Sequence, residues 1–243
     1  MKTALVVVFL SFLFGLSHGK ELPSFINKCK LSDPAINECM KNRVQEFTKY
    51  LPEGVKELRL LSVKNYVVPE MTLKLPWANV TLKDAKFEPL YDYVVDTFNM
   101  DLDKGELKIK LSHKYISLKA DYVLDGKLIQ LNIHGEGKAE AKTVDIVGDA
   151  TITGKKKSKN GQEYFEVETA TYKFTKHKLD NVYLSNLFGD NVELTKRIND
   201  LISENREELF ADAYPALEII MSSLILNLFK APFNTFSLGE LFD

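Results

Sequence analysis

Ile129-Gln130-Leu131-Asn132-Ile133-His134-Gly135-Glu136-Gly137-Lys138-Ala139-Glu140-Ala141-Lys142 alternates apolar or small residues with polar ones without a break. Successive side chains of a strand point to opposite faces, so this stretch predicts a β-strand with one wet face and one turned to the interior. Along the inward face, Ile129, Leu131 and Ile133 give way to Gly135, Gly137, Ala139 and Ala141. Interiors are close-packed, so the space those small residues leave must be filled, either by a closely approaching helix or by a ligand channel.

Outward from this strand, period-two patterning runs from about Gly54 to Leu187, punctuated by turn signals at Asp103-Lys104-Gly105, Asp125-Gly126 and Asn160-Gly161. It predicts a large antiparallel sheet of hairpins. The parity slips: Leu107, Ile109 and Leu111 are odd, whereas Ile116, Leu118, Ala120, Tyr122 and Leu124 are even. Val144, Ile146, Ala150 and Ile152 are even again after the odd run of the opening strand. A bulge near Ser112–Tyr115 would restore the facing, and long bulged strands predict a sheet that curls around another element.

That element is expected at the C-terminal end. Asp190-Asn191-Val192-Glu193 has the D-x-x-E form of a capping box, and no glycine interrupts the helical run from there to about Lys230. At 1.5 Å per residue, roughly forty residues make about 60 Å of helix. Its first half carries Glu204, Arg206, Glu207 and Glu208, and its second half, Leu217–Phe229, is apolar on nearly every side. Such a surface must be enclosed, and Pro215 is expected to kink the helix between the halves. A transmembrane reading fails on length and on Glu218. The patterns together predict an α+β fold, a strongly curved antiparallel sheet wrapped around a long C-terminal helix.

At the other end, Lys2 precedes a mainly apolar run from Ala4 to Leu16, and Ser17-His18-Gly19 suits signal-peptidase cleavage. The expected organisation is a signal peptide at residues 1–19 and one domain at residues 20–243. Cleavage removes only Lys2 among the charged residues, so the net charge moves from -2 to -3. A balance so near neutrality argues against nucleic acid as a partner. In the oxidising compartment that a signal implies, Cys29 and Cys39 favour one disulfide. Between them Ser32-Asp33-Pro34 opens a short helix with Ile36, Met40, Val44, Phe47 and Leu51 on one face, and Pro52 stops it. Asn79-Val80-Thr81 is a glycosylation sequon, which predicts a surface position and a glycoprotein.

No catalytic pattern emerges. G-x-S-x-G and H-E-x-x-H are absent from the sequence, and Gly135-Glu136-Gly137 sits inside a strand where a dinucleotide fingerprint cannot work. His134-Gly135-Glu136 lacks the P-C-x-x-C partner of zinc deaminases and reads as a surface pair. His113 and His177, in lysine-rich company, are expected on strand surfaces or loops. Lys155, Lys156, Lys157 and Lys159 read as a solvated hairpin tip that could also attract an anionic membrane. Trp77 beside Pro76 reads as a core plug. No cofactor or metal is expected.

Asn186-Leu187-Phe188-Gly189-Asp190, running into Ile198-Asn199-Asp200-Leu201-Ile202-Ser203-Glu204-Asn205, resembles the signature of the insect takeout and haemolymph juvenile-hormone-binding protein family. There an N-L-F-N-G-type turn opens the long helix and an N-x-F-L-N-E-N-W-type stretch follows. The likeness extends to the apolar leader, the early cysteine pair, Gly54-Val55-Lys56-Glu57-Leu58 and the terminal Phe236 to Leu241-Phe242. Departures are Arg206 where the family has Trp, a turn one residue shorter, and Ser62–Glu70 in place of a proline-rich segment. A single cysteine pair is similar to the takeout branch.

The resemblance implies a tubular lipid-binding-like super-roll, with a short disulfide-linked N-terminal helix and an internal apolar tunnel. It implies a secreted carrier, in haemolymph or another extracellular fluid, for a juvenile-hormone-like terpenoid, a fatty acid or a related signal. Circadian rhythm is among the processes the family serves. The expected lining is Leu131, Ile133, Gly135, Gly137 and Ala139 from the strand and Leu217, Met221, Leu224 and Leu228 from the helix. Expected partners are a small hydrophobic ligand and a transient membrane or receptor contact, with the protein a monomer. The alternatives are a secreted interaction or structural protein whose core is filled by side chains, and, third, a hydrolase of lipophilic esters.

Overall fold

The computed structural model describes residues 22–64 and 66–243, so the expected signal peptide lies outside the described residues. Asp33 opens the first helix: its side chain accepts from Ala35 N at 2.8 Å and its carbonyl from Ile36 N at 3.0 Å. Helix α1 spans Ile36–Glu46 and ends in one 3-10 turn before Pro52. Strands β1 (Val67–Leu75), β2 (Ala78–Glu88), β3 (Tyr93–Asp101), β4 (Glu106–Leu128), β5 (Leu131–Lys159) and β6 (Gln162–Leu184) follow. The chain closes with α2 (Val192–Glu204), α3 (Arg206–Phe210), α4 (Tyr214–Thr235) and α5 (Leu238–Leu241).

All pairings in the sheet are antiparallel, in the order β1-β2-β4-β5-β6, with β3 beside the first half of β4 and β2 beside the second. β5 is 29 residues long. Fully extended it would reach about 95 Å, whereas a compact chain of this size has a radius of gyration of only about 18 Å. A strand that long must coil. Register shifts in β5–β6 lie between Lys142 and Thr143, Val144 and Gly148, and Thr153 and Gly154. Further shifts lie between Lys83 and Lys86 of β2 and between Val95 and Thr97 of β3.

The parity slip has a different form from the bulge expected at Ser112–Tyr115. β4 reverses its facing at Lys114–Tyr115, yet its pairing with β5 runs from His113↔Ile146 to Tyr115↔Val144 with no shift. The two strands turn over together, because Asp145 takes a left-handed φ of 50° and carries β5 through the same reversal. A matched twist keeps the ladder intact while exchanging the faces of both strands.

The C-terminal run is also not one kinked helix. Asn205 ends α2 at φ -115°, a 3-10 turn at 211–213 follows α3, and Pro215 then stands in the first turn of α4. Proline's missing N–H costs nothing there, so it starts a helix instead of bending one. The cap of α2 is Asn191, whose side chain accepts from Leu194 N at 3.0 Å, one residue past the expected Asp190. Nor is α4 enclosed on every side. Pro215, Ile219, Ser223, Asn227, Lys230 and Asn234 form an exposed stripe at helical spacing, in which Ile219 is 67% exposed.

Glu218 and Ser222 have a structural task. β6 is an edge of the sheet, and an unpaired edge strand presents free amides. Ser222 Oγ accepts from Tyr172 N at 2.8 Å, Glu218 Oε1 from Phe174 N at 3.1 Å, Glu207 Oε1 from Leu179 N at 2.7 Å and Asn199 Oδ1 from Leu184 N at 2.9 Å. α1 treats the edge of β3 in the same way: Asn37 Oδ1 accepts from Met100 N at 2.9 Å and Gln45 Oε1 from Val95 N at 2.8 Å. Side chains from the helices thus bond free amides on the edges of β6 and β3. Cys29 and Cys39 are joined in a disulfide, and Cys29 bridges to Phe242, so the two ends of the described chain meet.

Candidate ligand-binding site

The space left by the shrinking inward face of β5 is filled, at Gly135 and Gly137, by neither a helix nor a channel. A Cβ at Gly137 would stand 2.5 Å from Ser185 O, and one at Gly135 would stand 3.0 Å from Leu187 Cα. The segment after β6 packs its backbone there. Ser185 N donates to Lys138 O at 2.9 Å, Lys138 N to Ser185 Oγ at 2.7 Å, and Tyr122 OH to Ser185 O at 2.6 Å. Asn186 turns the segment at φ 58°. Glycine is required at 135 and 137 because two backbones touch.

Beyond that contact, Ala139 and Ala141 face a cavity bounded by the sheet on one side and α3–α4 on the other. The cavity has a volume of about 110 Å³. Leu217, Ile220 and Met221 of α4 line it, and its only residues with polar side chains are Glu140, Thr143 and Tyr214. Trp77 stands near one end: Nε1 donates to Leu209 O at 2.9 Å, and its ring meets the lining residue Phe210 edge-on at 5.8 Å. A second cavity of about 150 Å³ lies farther along α4, between Leu228, Phe229 and Phe233 and the residues Met40, Val44 and Phe47 around α1. It shares no lining residue with the first. Leu224 and Ile225, both buried, occupy the turn of α4 between them.

The expected lining residues therefore have five locations. Ala139, Leu217 and Met221 line the first cavity and Leu228 the second. Ile133 and Leu224 are buried in the core, and Gly135 and Gly137 are covered by residues 185–187. Leu131 begins β5 beside the hairpin turn and is 38% exposed. Asn79 is exposed on β2.

The two histidines expected at the surface are turned inward. His113 has the parity of Leu107, Ile109 and Leu111, before the facing reverses, and it is 3% exposed with neither ring nitrogen bonded. Burial pushes its pKa below the ordinary 6.5, against weaker opposing influences from the Leu90 backbone and Asp92. His177 stacks on Tyr214 with ring centroids 3.7 Å apart, and its Nδ1 is buried without a partner. His134 pairs across the hairpin with Asp125, Nδ1 to Oδ1 2.7 Å, not with Glu136. Of the hairpin lysines, Lys155 pairs with Glu168, Lys156 with Asp103 and Lys157 with Glu166, which leaves little free positive charge for a membrane.

Residues missed by sequence reading include Tyr214 and Thr143 on the first cavity. Tyr214 is 9% exposed and its hydroxyl is buried with no hydrogen-bond partner. Desolvation, and secondarily the charge of Glu207, push its pKa up to about 12. Thr143 pulls the other way as the smallest of the three influences, without a hydrogen bond of normal geometry. The only local signal was an aromatic residue beside a helix-starting proline.

A sequence profile of the family described as haemolymph juvenile hormone binding protein matches residues 4–243. The circadian clock-controlled protein daywake of Drosophila yakuba is 26% identical over 259 aligned residues, covering 96% of each chain. Its namesake from Drosophila melanogaster is 26% identical over 80% of this chain and 78% of its own. The crystal structure of Epiphyas postvittana Takeout 1 superposes with a TM-score of 0.76 at 20% identity, covering 89% of this chain and 99% of that one. That likeness is one of fold.

Proposed function

The chain belongs to the haemolymph juvenile hormone binding protein family, and on that footing we propose that it is a secreted carrier for a small lipophilic molecule held beside α4. Candidate ligands are a juvenile-hormone-like terpenoid, a fatty acid or a related signal. The observation that supports this best is the first cavity, whose wall is apolar apart from Glu140, Thr143 and Tyr214. Burying about 15 hydrocarbon carbons at ~0.8 kcal/mol each yields ~12 kcal/mol gross. Subtracting ~4 kcal/mol for lost freedom leaves ~8, a dissociation constant near micromolar. Binding of this kind needs no catalytic group, and we read the protein as a carrier and not an enzyme.

Secretion, with removal of residues 1–19, and glycan attachment at Asn79 belong to the same proposal. So does a circadian setting, which the names of the daywake relatives carry. The Cys29–Cys39 disulfide fits an oxidising compartment.

The neutral fluorophore N-phenyl-1-naphthylamine tests the site. The wild-type protein should take it up with a dissociation constant near micromolar. Ala139→Phe, which projects a ring into the first cavity, should weaken uptake at least about tenfold while leaving the melting temperature unchanged or higher, because it fills a void. Equal uptake by both proteins would remove the first cavity as the site.

A further inference from the structure

Buried hydroxyls in folded proteins are nearly always hydrogen-bonded, because a desolvated donor without a partner is costly. Tyr93 and Tyr122 obey this, donating to Val44 O at 3.0 Å and to Ser185 O at 2.6 Å. Tyr172 and Tyr214 do not, each hydroxyl being buried without a partner of normal hydrogen-bond geometry. Of the two, Tyr214 lines the first cavity, where it is 9% exposed. Its ring is held in place by stacking on His177 at 3.7 Å and by an edge contact with Phe174 at 5.6 Å. A fixed aromatic donor of this kind orders little on binding. Thr143, on the same wall, supplies a second hydroxyl.

The charges around the cavity limit what can meet that donor. Among the described residues no Lys, Arg or His lines the first cavity, and the one charged lining residue is Glu140. Behind the wall stand Glu218, bonded to Phe174 N and ion-paired with Lys173, and Glu207, bonded to Leu179 N. The nearby cation Arg206 is committed to the carbonyls of Leu179 and Ser203. A carboxylate brought into this site would be desolvated with no cation on the cavity wall to pair with, which is costly. A neutral oxygen would accept from Tyr214 at no such penalty.

We propose that Tyr214, with Thr143 beside it, is the polar recognition point of the first cavity, and that the site selects neutral lipophiles bearing a carbonyl, ether or hydroxyl oxygen over hydrocarbons and over fatty-acid anions. This rests on the carrier reading and narrows it. With burial holding the phenol pKa up at about 12, Tyr214 remains a donor throughout the physiological range.

The test is displacement of N-phenyl-1-naphthylamine from the full chain by hexadecane, methyl hexadecanoate and hexadecanoate at pH 8, in wild type, Tyr214→Phe and Thr143→Val. In wild type the methyl ester should compete about fivefold better than hexadecane, the worth of one modest hydrogen bond. Tyr214→Phe should abolish that preference and leave hexadecane unchanged, and Thr143→Val should reduce it. Because the hydroxyl has no partner in the protein, Tyr214→Phe should melt at the same temperature or higher, whereas a hydroxyl with a structural role would lower it. Equal ester affinity in wild type and Tyr214→Phe, a lowered melting temperature, or hexadecanoate outcompeting the ester in a manner Tyr214→Phe weakens would each overturn the proposal. Loss of fluorophore binding altogether would instead overturn the carrier reading beneath it.

Discussion

Asn199 ties α2 to Leu184 of β6 through both atoms of its side-chain amide. Its Oδ1 accepts from Leu184 N at 2.9 Å while its Nδ2 donates to Leu184 O at 2.8 Å and to Thr195 O at 3.0 Å, all in a buried setting. His113 is the opposite case, a buried polar ring with neither nitrogen bonded. Its pKa lies below the ordinary 6.5 because burial disfavours the charged form. The unfolded chain therefore binds the proton more readily, and stability must fall as pH drops below about 6.5 toward the depressed folded value. Above 6.5 both states are neutral and the contribution is constant. Urea denaturation of wild type and His113→Phe at intervals from pH 5 to pH 8 should show a steeper acid loss in wild type. Parallel curves would mean that His113 is neutral in neither state or shifted in neither.

At the scale of elements, the recurrent device is a helix that seals a strand edge with polar side chains. Glu218 serves Phe174 N, and replacing it should act on that edge in particular. Amide hydrogen exchange should speed up about tenfold at Phe174 in Glu218→Ala and stay near wild type in Glu218→Gln, which keeps an acceptor oxygen. Equal protection in Glu218→Ala would show that the contact does not guard the edge. This device explains what could not be read from the sequence. The alternation from Ile129 to Ala141 was legible because a period of two is a local property. Glu218 and Ser222 read as interruptions of an apolar helix, because their role depends on strand-edge amides 44 and 50 residues away that face them. The facing reversal near Ser112–Tyr115 was legible, but its form was not, since it required Asp145 of the partner strand to turn at the same level. Gly135 and Gly137 announced a need for space. That Ser185–Leu187 fills it depends on a turn at Asn186, far along the chain.

Across the whole molecule, a sheet too long to lie flat coils beside α4, and the helix touches two apolar cavities in succession. Alternation locates faces but not voids, which is why the expected lining residues divide between cavity walls, core and surface. The first cavity sets the unpartnered hydroxyl of Tyr214 against a mainly apolar wall, a combination suited to retaining a lipophile. Native mass spectrometry of the protein secreted by cultured cells, before and after extraction with organic solvent, tests this claim most directly. The account predicts a bound mass of a few hundred daltons, about the size of a 15-carbon lipophile, that disappears on extraction, returns on adding a neutral lipid ester, and is absent from Ala139→Phe. A single mass equal to the bare polypeptide and its glycan, unchanged by extraction and by added lipid, would contradict it.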